Sequence, residues 1–208
     1  MNLAARAPAA AGAAPRLVLH RWQAIALATL VPALLSGLYV STNVRASLAQ
    51  RSLRAQWEPA VAAGPVAPAT LAARAFTPGE PVARLGIAAT GADLIVVAGG
   101  NGARQGPALA AGSAYPGLPG VSVIEAGRFG YGNMFLHLDR LIPGDTIVVE
   151  TLAGVRRFTV RSVRVLPASA IDPREDSVTP VLLLAAPARA WGSSDRIVVR
   201  AESAGAAR

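Results

Sequence analysis

The sequence predicts an all-β domain, a closed barrel of seven or eight short strands with one short helix, preceded by a single N-terminal transmembrane helix. Three observations carry this expectation. From Pro81 onward, short runs rich in Val, Ile and Leu recur between turns built on Gly and Pro. Residues 22–40 form an apolar run interrupted chiefly by Gln23, Thr29, Pro32 and Ser36. Between the two, Pro59, Gly64, Pro65, Pro68, Pro78 and Gly79 break up a stretch filled with alanine.

Composition narrows the functional classes. The 208 residues are 52% hydrophobic and 15% charged, too apolar for a disordered chain. There is no cysteine, which removes disulfides and thiolate metal sites. All 20 basic side chains are arginine, so a lysine nucleophile is excluded as well. The net charge of +8 divides unevenly: residues 1–76 hold seven Arg and one acid, residues 77–208 thirteen Arg and eleven acids. A nucleic-acid-binding domain would carry its excess on the folded part, so no nucleic-acid partner is expected. The excess instead flanks the apolar run, where anionic membrane lipid would attract it.

The chain divides as follows. Residues 1–21 form a disordered tail and 22–43 the transmembrane helix. Residues 44–80 are a juxtamembrane helix and an Ala/Pro linker, 81–202 the barrel, and 203–208 a second tail. Nineteen helical residues reach about 28 Å, the thickness of a hydrocarbon core. Trp22 and Tyr39 sit near the ends, as interfacial aromatics do. Arg6, Arg16, Arg21 and the amino terminus before the span slightly favour a cytoplasmic N-terminus over Arg45, Arg51 and Arg54 after it. The competing reading is a cleaved signal peptide, with Ser47-Leu48-Ala49 as its site.

In the barrel, strands are expected at 82–87 and 94–98, then a glycine-rich loop from Gly99. No GK[ST] follows that loop, which argues against phosphate binding. Pro116-Gly117 and Pro119-Gly120 form turns that feed a strand at 121–124. Met134, Phe135, Leu138, Leu141 and Ile142 share one helical face and predict the short helix. Strands follow at 146–151, 155–166, 181–186 and 196–201. In the second of these, Phe158 and Val160 mark one face whereas Val163 and Val165 mark the other. A single pleat cannot bury both pairs, so a bulge or bend is expected near Arg161-Ser162.

Residues 106–128 resemble the sortases, and most closely the class of Gram-negative marine proteobacteria, where the run reads roughly GPGH-x-x-GSA-x-PG-x-PG-N-x-V-x-x-GHR. Further matches are Pro81-Val82-Ala83-Arg84-Leu85, Phe135-Leu136, Leu141-Ile142-Pro143-Gly144-Asp145-Thr146-Ile147 and Arg196-Ile197-Val198-Val199. The resemblance covers residues 81–201 and implies the family's barrel, with the domain outside the cytoplasm: single-pass in the inner membrane, C-terminal domain periplasmic.

The family's chemistry needs a Cys that forms a thioester, a His that moves protons and an Arg that steadies the oxyanion or the peptide. Matched residue by residue, Gly127 stands at the His position, with Arg128 following it. Leu109 stands where an earlier His is common. The Cys position falls at Pro187 when counted along L-x-L-x-T-C, and at Ala185 when counted back from a later C-x-P. Only the Arg position, Arg196, is kept. The resemblance therefore implies a pseudo-sortase with no intact catalytic residue. Its vestigial groove (Arg196, Arg128, Ala126, Gly127) either binds a sorting-motif peptide or envelope protein, or has collapsed. The alternative is a sortase-family transpeptidase or hydrolase working by unrecognised chemistry. No cofactor and no metal are expected. His137 reads as a solvated surface residue, Ser193-Ser194 as a turn, and Asp172, Glu175 and Asp176 as an acidic loop without calcium-loop spacing.

Overall fold

The structure, a computed structural model, describes residues 21–99, 106–190 and 192–203. The expected tails at 1–20 and 204–208 and the loop at 100–105 lie outside the described residues. Contacts divide the chain into two units, 1–38 and 39–208. In the first, the described residues belong to helix α1 (Arg21–Ala62), whose Leu30, Leu34, Leu35 and Leu38 are all exposed. Among the described residues no helix is long and apolar enough to cross a membrane. The side chains of 21, 23–25 and 27 lie outside that set.

The second unit is a closed eight-stranded barrel in the order β1-β2-β3-β4-β7-β8-β6-β5. Its strands are β1 (Pro81–Ile87), β2 (Ala92–Ala98), β3 (Ala108–Leu109), β4 (Gly120–Glu125), β5 (Thr146–Thr151), β6 (Gly154–Pro167), β7 (Pro180–Pro187) and β8 (Asp195–Ser203). Seven sit where the hydrophobic runs predict them. The two-residue β3 is too short to carry a pattern. Leu85, Ile124, Phe158, Leu182, Leu184 and Val199 fill the interior.

β4 and β7 pair in parallel and are apolar on both faces. Their outward Val121, Val123, Val181 and Leu183 form a second cluster with Val198, covered by Ala110, Leu166 and Ile171. This two-sided burial is why the two strands read as continuous apolar runs rather than alternating ones. The bulge expected in β6 is present: register against β8 shifts between Val160 and Ser162. The shift lets Val163 pack on the core, but Val165, 61% exposed, runs past it.

Two segments differ from expectation. Residues 58–80 do not form an open linker. α1 runs to Ala62, and α2 (Pro68–Ala73) starts with proline in its first turn, where a missing N–H costs nothing. Leu71 is buried, and the Val66 N–H donates to the Leu152 carbonyl at 2.8 Å. Phe76 stacks on Tyr115 at 5.3 Å, and the Tyr115 hydroxyl donates to the Val82 carbonyl at 2.8 Å. The second difference is at 134–142, which is a series of turns ending in a 3₁₀ turn, Leu138–Arg140, rather than an α-helix. Phe135, Leu138 and Leu141 are buried at a spacing of three, the 3₁₀ period, while Ile142 is 63% exposed.

Past Leu38, α1 lies on the outside of β2. Ala46, Gln50, Leu53 and Trp57, spaced 4-3-4 along one face, are buried. Leu53 and Trp57 cover Ile95, Val97 and Ala108. Gln50 explains the polar residue in this stripe. Its amide oxygen accepts the Ile95 N–H at 2.8 Å, and its nitrogen donates to the Ile95 carbonyl at 3.1 Å. It completes the edge of β2 where β3 has already ended. Arg54 reaches the Asp93 carbonyl at 2.5 Å and the Asp93 carboxylate at 3.0 Å. The bidentate Arg84 (2.8 Å) is the main cause that holds the Asp93 carboxyl below its ordinary range, against the opposing effect of burial.

Candidate functional site

The site expected from sequence lies at the C-terminal ends of β4 and β7 and the start of β8. Parallel register pairs Glu125 with Ala185, and the Ala126 N–H donates to the Ala185 carbonyl at 3.1 Å. Antiparallel register pairs Pro187 with Arg196. Gly127 lies two residues beyond Glu125, the last residue of β4. Successive residues alternate faces, so Pro187 and Arg196 extend the side of the sheet that carries Ala185 and Val198. Ala185 is itself buried beneath the outer cluster, whereas Pro187 and Arg196 are half-buried at the rim. Ala126 faces the other way, into the core.

The two arginines of the region differ in kind. Arg128 is committed to internal contacts. Its Nε donates to the Leu136 carbonyl (3.2 Å), its Nη1 to the Ala188 carbonyl (3.1 Å), and its Nη2 pairs with Asp139 at 2.6 Å. The guanidinium also lies over the Phe129 ring at 5.1 Å. It ties the exit of β4 to the turn after β7 and to the 3₁₀ turn, so it positions the rim and is not a free binding group. Arg196, by contrast, has no side-chain hydrogen bond or ion pair among the described residues; neither Glu125 nor another carboxylate engages it.

Beyond Gly127 the backbone takes an unusual path. Gly130, Tyr131, Gly132 and Asn133 all have positive φ, at 82°, 49°, 86° and 49°. Glycine adopts this region freely and asparagine tolerates it, but for tyrosine it is strained. The turn is closed by Asn133 N–H to the Gly130 carbonyl (3.1 Å) and Gly130 N–H to the Asn133 side-chain oxygen (2.7 Å). It is docked on α1, where Asn43 accepts the Gly132 N–H at 2.8 Å and the Asn133 amide donates to the Tyr39 hydroxyl at 2.7 Å. A Cβ on Gly127 would lie 3.4 Å from the Gly130 carbonyl oxygen. The left-handed turn thus comes within van der Waals contact of the space that a side chain at 127 would occupy.

The remaining candidates have structural roles. The Ser193 hydroxyl accepts the Asp195 N–H at 3.0 Å, Asp172 accepts the Arg174 N–H at 2.8 Å, and Glu175 pairs with Arg200 at 3.4 Å. His137 lines a depression with Ile87, Thr90 and Phe135. Among the described residues no group of three His, Cys, Asp or Glu side chains could hold a metal ion. Sequence reasoning missed the left-handed turn and its partners Tyr39 and Asn43. The alternation Gly-Tyr-Gly-Asn was its visible signal.

The barrel closes through the parallel β4/β7 pair, with β8 beside it. The family model of the sortase domain matches residues 85–204, more than half of the chain, and the chain belongs to the sortase family. Solved structures agree on the fold. Sortase C-1 from Actinomyces oris is 22% identical with a TM-score of 0.54, covering 60% of this chain and 74% of that one. A Clostridium perfringens sortase D5 transpeptidase is 20% identical with a TM-score of 0.57, covering 63% and 83%. C. perfringens sortase C with the C-terminal cell wall sorting motif is 21% identical with a TM-score of 0.56, covering 62% and 72%. No curated sequence matches the chain.

Proposed function

We propose that this chain is a membrane-anchored, catalytically silent sortase of the Gram-negative class that binds an extended peptide segment of an envelope protein. The observation that carries the reading is the pair Pro187–Arg196 with Gly127 just past β4: these positions hold no nucleophile and no base, while the Arg196 guanidinium has no partner among the described residues. With no cysteine in the chain, no thioester can form. We assign the vestigial nucleophile position to Pro187 rather than Ala185, because a group at 185 would be buried under the outer cluster. An extended peptide along the rim would gain strand-like backbone bonds, and Arg196 would take a carbonyl or carboxylate. The Clostridium sortase C bound to a sorting motif suggests the peptide class.

The test is a titration of a sorting-motif peptide, and of segments of envelope proteins, against the full chain in detergent. Arg196→Ala is expected to weaken binding about tenfold or more, the usual worth of a hydrogen bond to a charged group. Neither protein is expected to cleave or transfer the peptide. Equal affinities would remove Arg196 from the site, and turnover by the wild type that Arg196→Ala abolished would overturn the silent reading.

The anchor is proposed on the exposed apolar side chains of α1 between Leu30 and Val40, which need an apolar medium. The orientation proposed with it, N-terminus in the cytoplasm and barrel in the periplasm, rests on the slight excess of positive charge before the span. Protease added to spheroplasts is expected to digest the barrel. A barrel that survives while a periplasmic control is cut would reverse the orientation.

A further inference from the structure

Away from positions 127, 187 and 196, two depressions share the wall formed by Asp93, Leu94 and the 132–134 segment. The larger, about 490 Å³, lies between α1 and the left-handed turn and is lined by Asn43, Ser47, Arg51 and Arg54. The smaller, about 300 Å³, has a mixed wall that includes Ile87, Phe135, Thr90 and His137. The only acid in either wall, Asp93, is already bridged by Arg54 and by Arg84. Arg51 has no hydrogen-bond or ion-pair partner among the described residues. The larger cleft thus sets the Arg51 guanidinium in one wall with apolar Ala46, Leu94 and Met134.

We propose that this cleft holds an anionic phospholipid, its phosphate on Arg51 and its apolar part toward Leu94 and Met134. The inference rests on the anchor reading given above. Lipid is favoured over an acidic peptide by position along the helix. Arg51 lies eight residues past Asn43, about 12 Å along the axis, and side chains on a helix lean toward its N-terminus. The headgroup zone extends about 5–8 Å beyond the hydrocarbon core, and the long arginine stem spans the remainder.

The full chain is incorporated into nanodiscs of phosphatidylcholine and phosphatidylglycerol in equal amounts and then extracted in mild detergent. The phosphatidylglycerol retained per chain is counted by mass spectrometry. Arg51→Gln is expected to lower retention about fivefold, the effect of one arginine near an anionic surface. Arg45→Gln removes the same charge from the same helix but does not line the cleft, so it retains lipid as the wild type does. Equal retention by all three proteins, or equal loss in both variants, overturns the proposal. Displacement of the lipid by millimolar inorganic phosphate also overturns it, since the site would then be one for free phosphate. A chain that fails to enter the nanodisc sinks the anchor reading instead. The same variants, titrated with water-soluble short-chain phosphatidylglycerol, still decide the cleft.

Discussion

A fragment beginning at residue 77 is expected not to fold as a stable monomer, although it contains every strand of the barrel. Cutting there removes Leu53, Trp57 and Leu71 from the apolar surfaces they cover, at about 1.5–3 kcal/mol for each large side chain. It also strips Gln50 from the buried N–H and carbonyl of Ile95, at about 1–3 kcal/mol for each group left unpaired. Newly wetted groups on β2 recover part of that loss. The total still approaches 10 kcal/mol, comparable with the whole net stability of a typical domain. A fragment starting at residue 39 keeps all of these contacts. Thermal unfolding and size-exclusion chromatography should show a cooperative monomer for 39–208 and an aggregating or uncooperative chain for 77–208. The single substitution Trp57→Ala in the longer fragment should cost about 3–5 kcal/mol. Matching midpoints for the two fragments would show that α1 merely rests on the barrel.

That result would also mark where the sequence is silent. Strands β1, β5, β7 and β8 are legible because β-branched runs between Gly and Pro turns have few other uses. The β6 bulge is legible because two valines fall out of phase with Phe158 and Val160. The docked helix is harder to see. Its buried stripe has a glutamine at the centre, and Gln50 makes sense only once β3 is known to stop short of Ile95. The segment 58–80 looks like a linker because proline and glycine break helices. Yet the same residues are compatible with short pieces that pack through Val66, Leu71 and Phe76. At 134–142, five apolar residues fit a helical face. The strain at 130–133 and the burial of every third residue from 135 to 141 select the tighter turn instead.

The candidate site shows the same division. Residue types alone fix what is missing, since no fold can supply a thiol to a chain without cysteine. Position along the chain leaves Ala185 and Pro187 equivalent. Strand pairing sets Pro187 opposite Arg196 and Ala185 opposite Val198, a difference that chain order does not carry. The two arginines look interchangeable in sequence, and only the carbonyls of Leu136 and Ala188 show that Arg128 is committed elsewhere.

The left-handed turn gives the second large effect. Gly132 has φ near 86°, and a Cβ there would sit 3.0 Å from the Ala46 Cβ on α1. Gly132→Ala should therefore lose stability twice: about 1–2 kcal/mol for a side chain in the left-handed region, and about 1–3 kcal/mol for overpacking against a buried helix position. Gly144 is the internal control. Its φ is 101° with nothing within 4 Å of the added Cβ, so Gly144→Ala should show the backbone cost alone. Ala46→Gly should lower stability by itself by about 1 kcal/mol, the helix propensity difference. Combined with Gly132→Ala, however, it opens the space that the new methyl needs. The double variant should then be more stable than the two single losses predict, by about 1 kcal/mol or more. Denaturant unfolding of the four proteins in the 39–208 fragment measures that coupling. Strict additivity would mean that the turn does not bear on Ala46. A positive coupling ties α1 at Ala46 to the turn at 130–133.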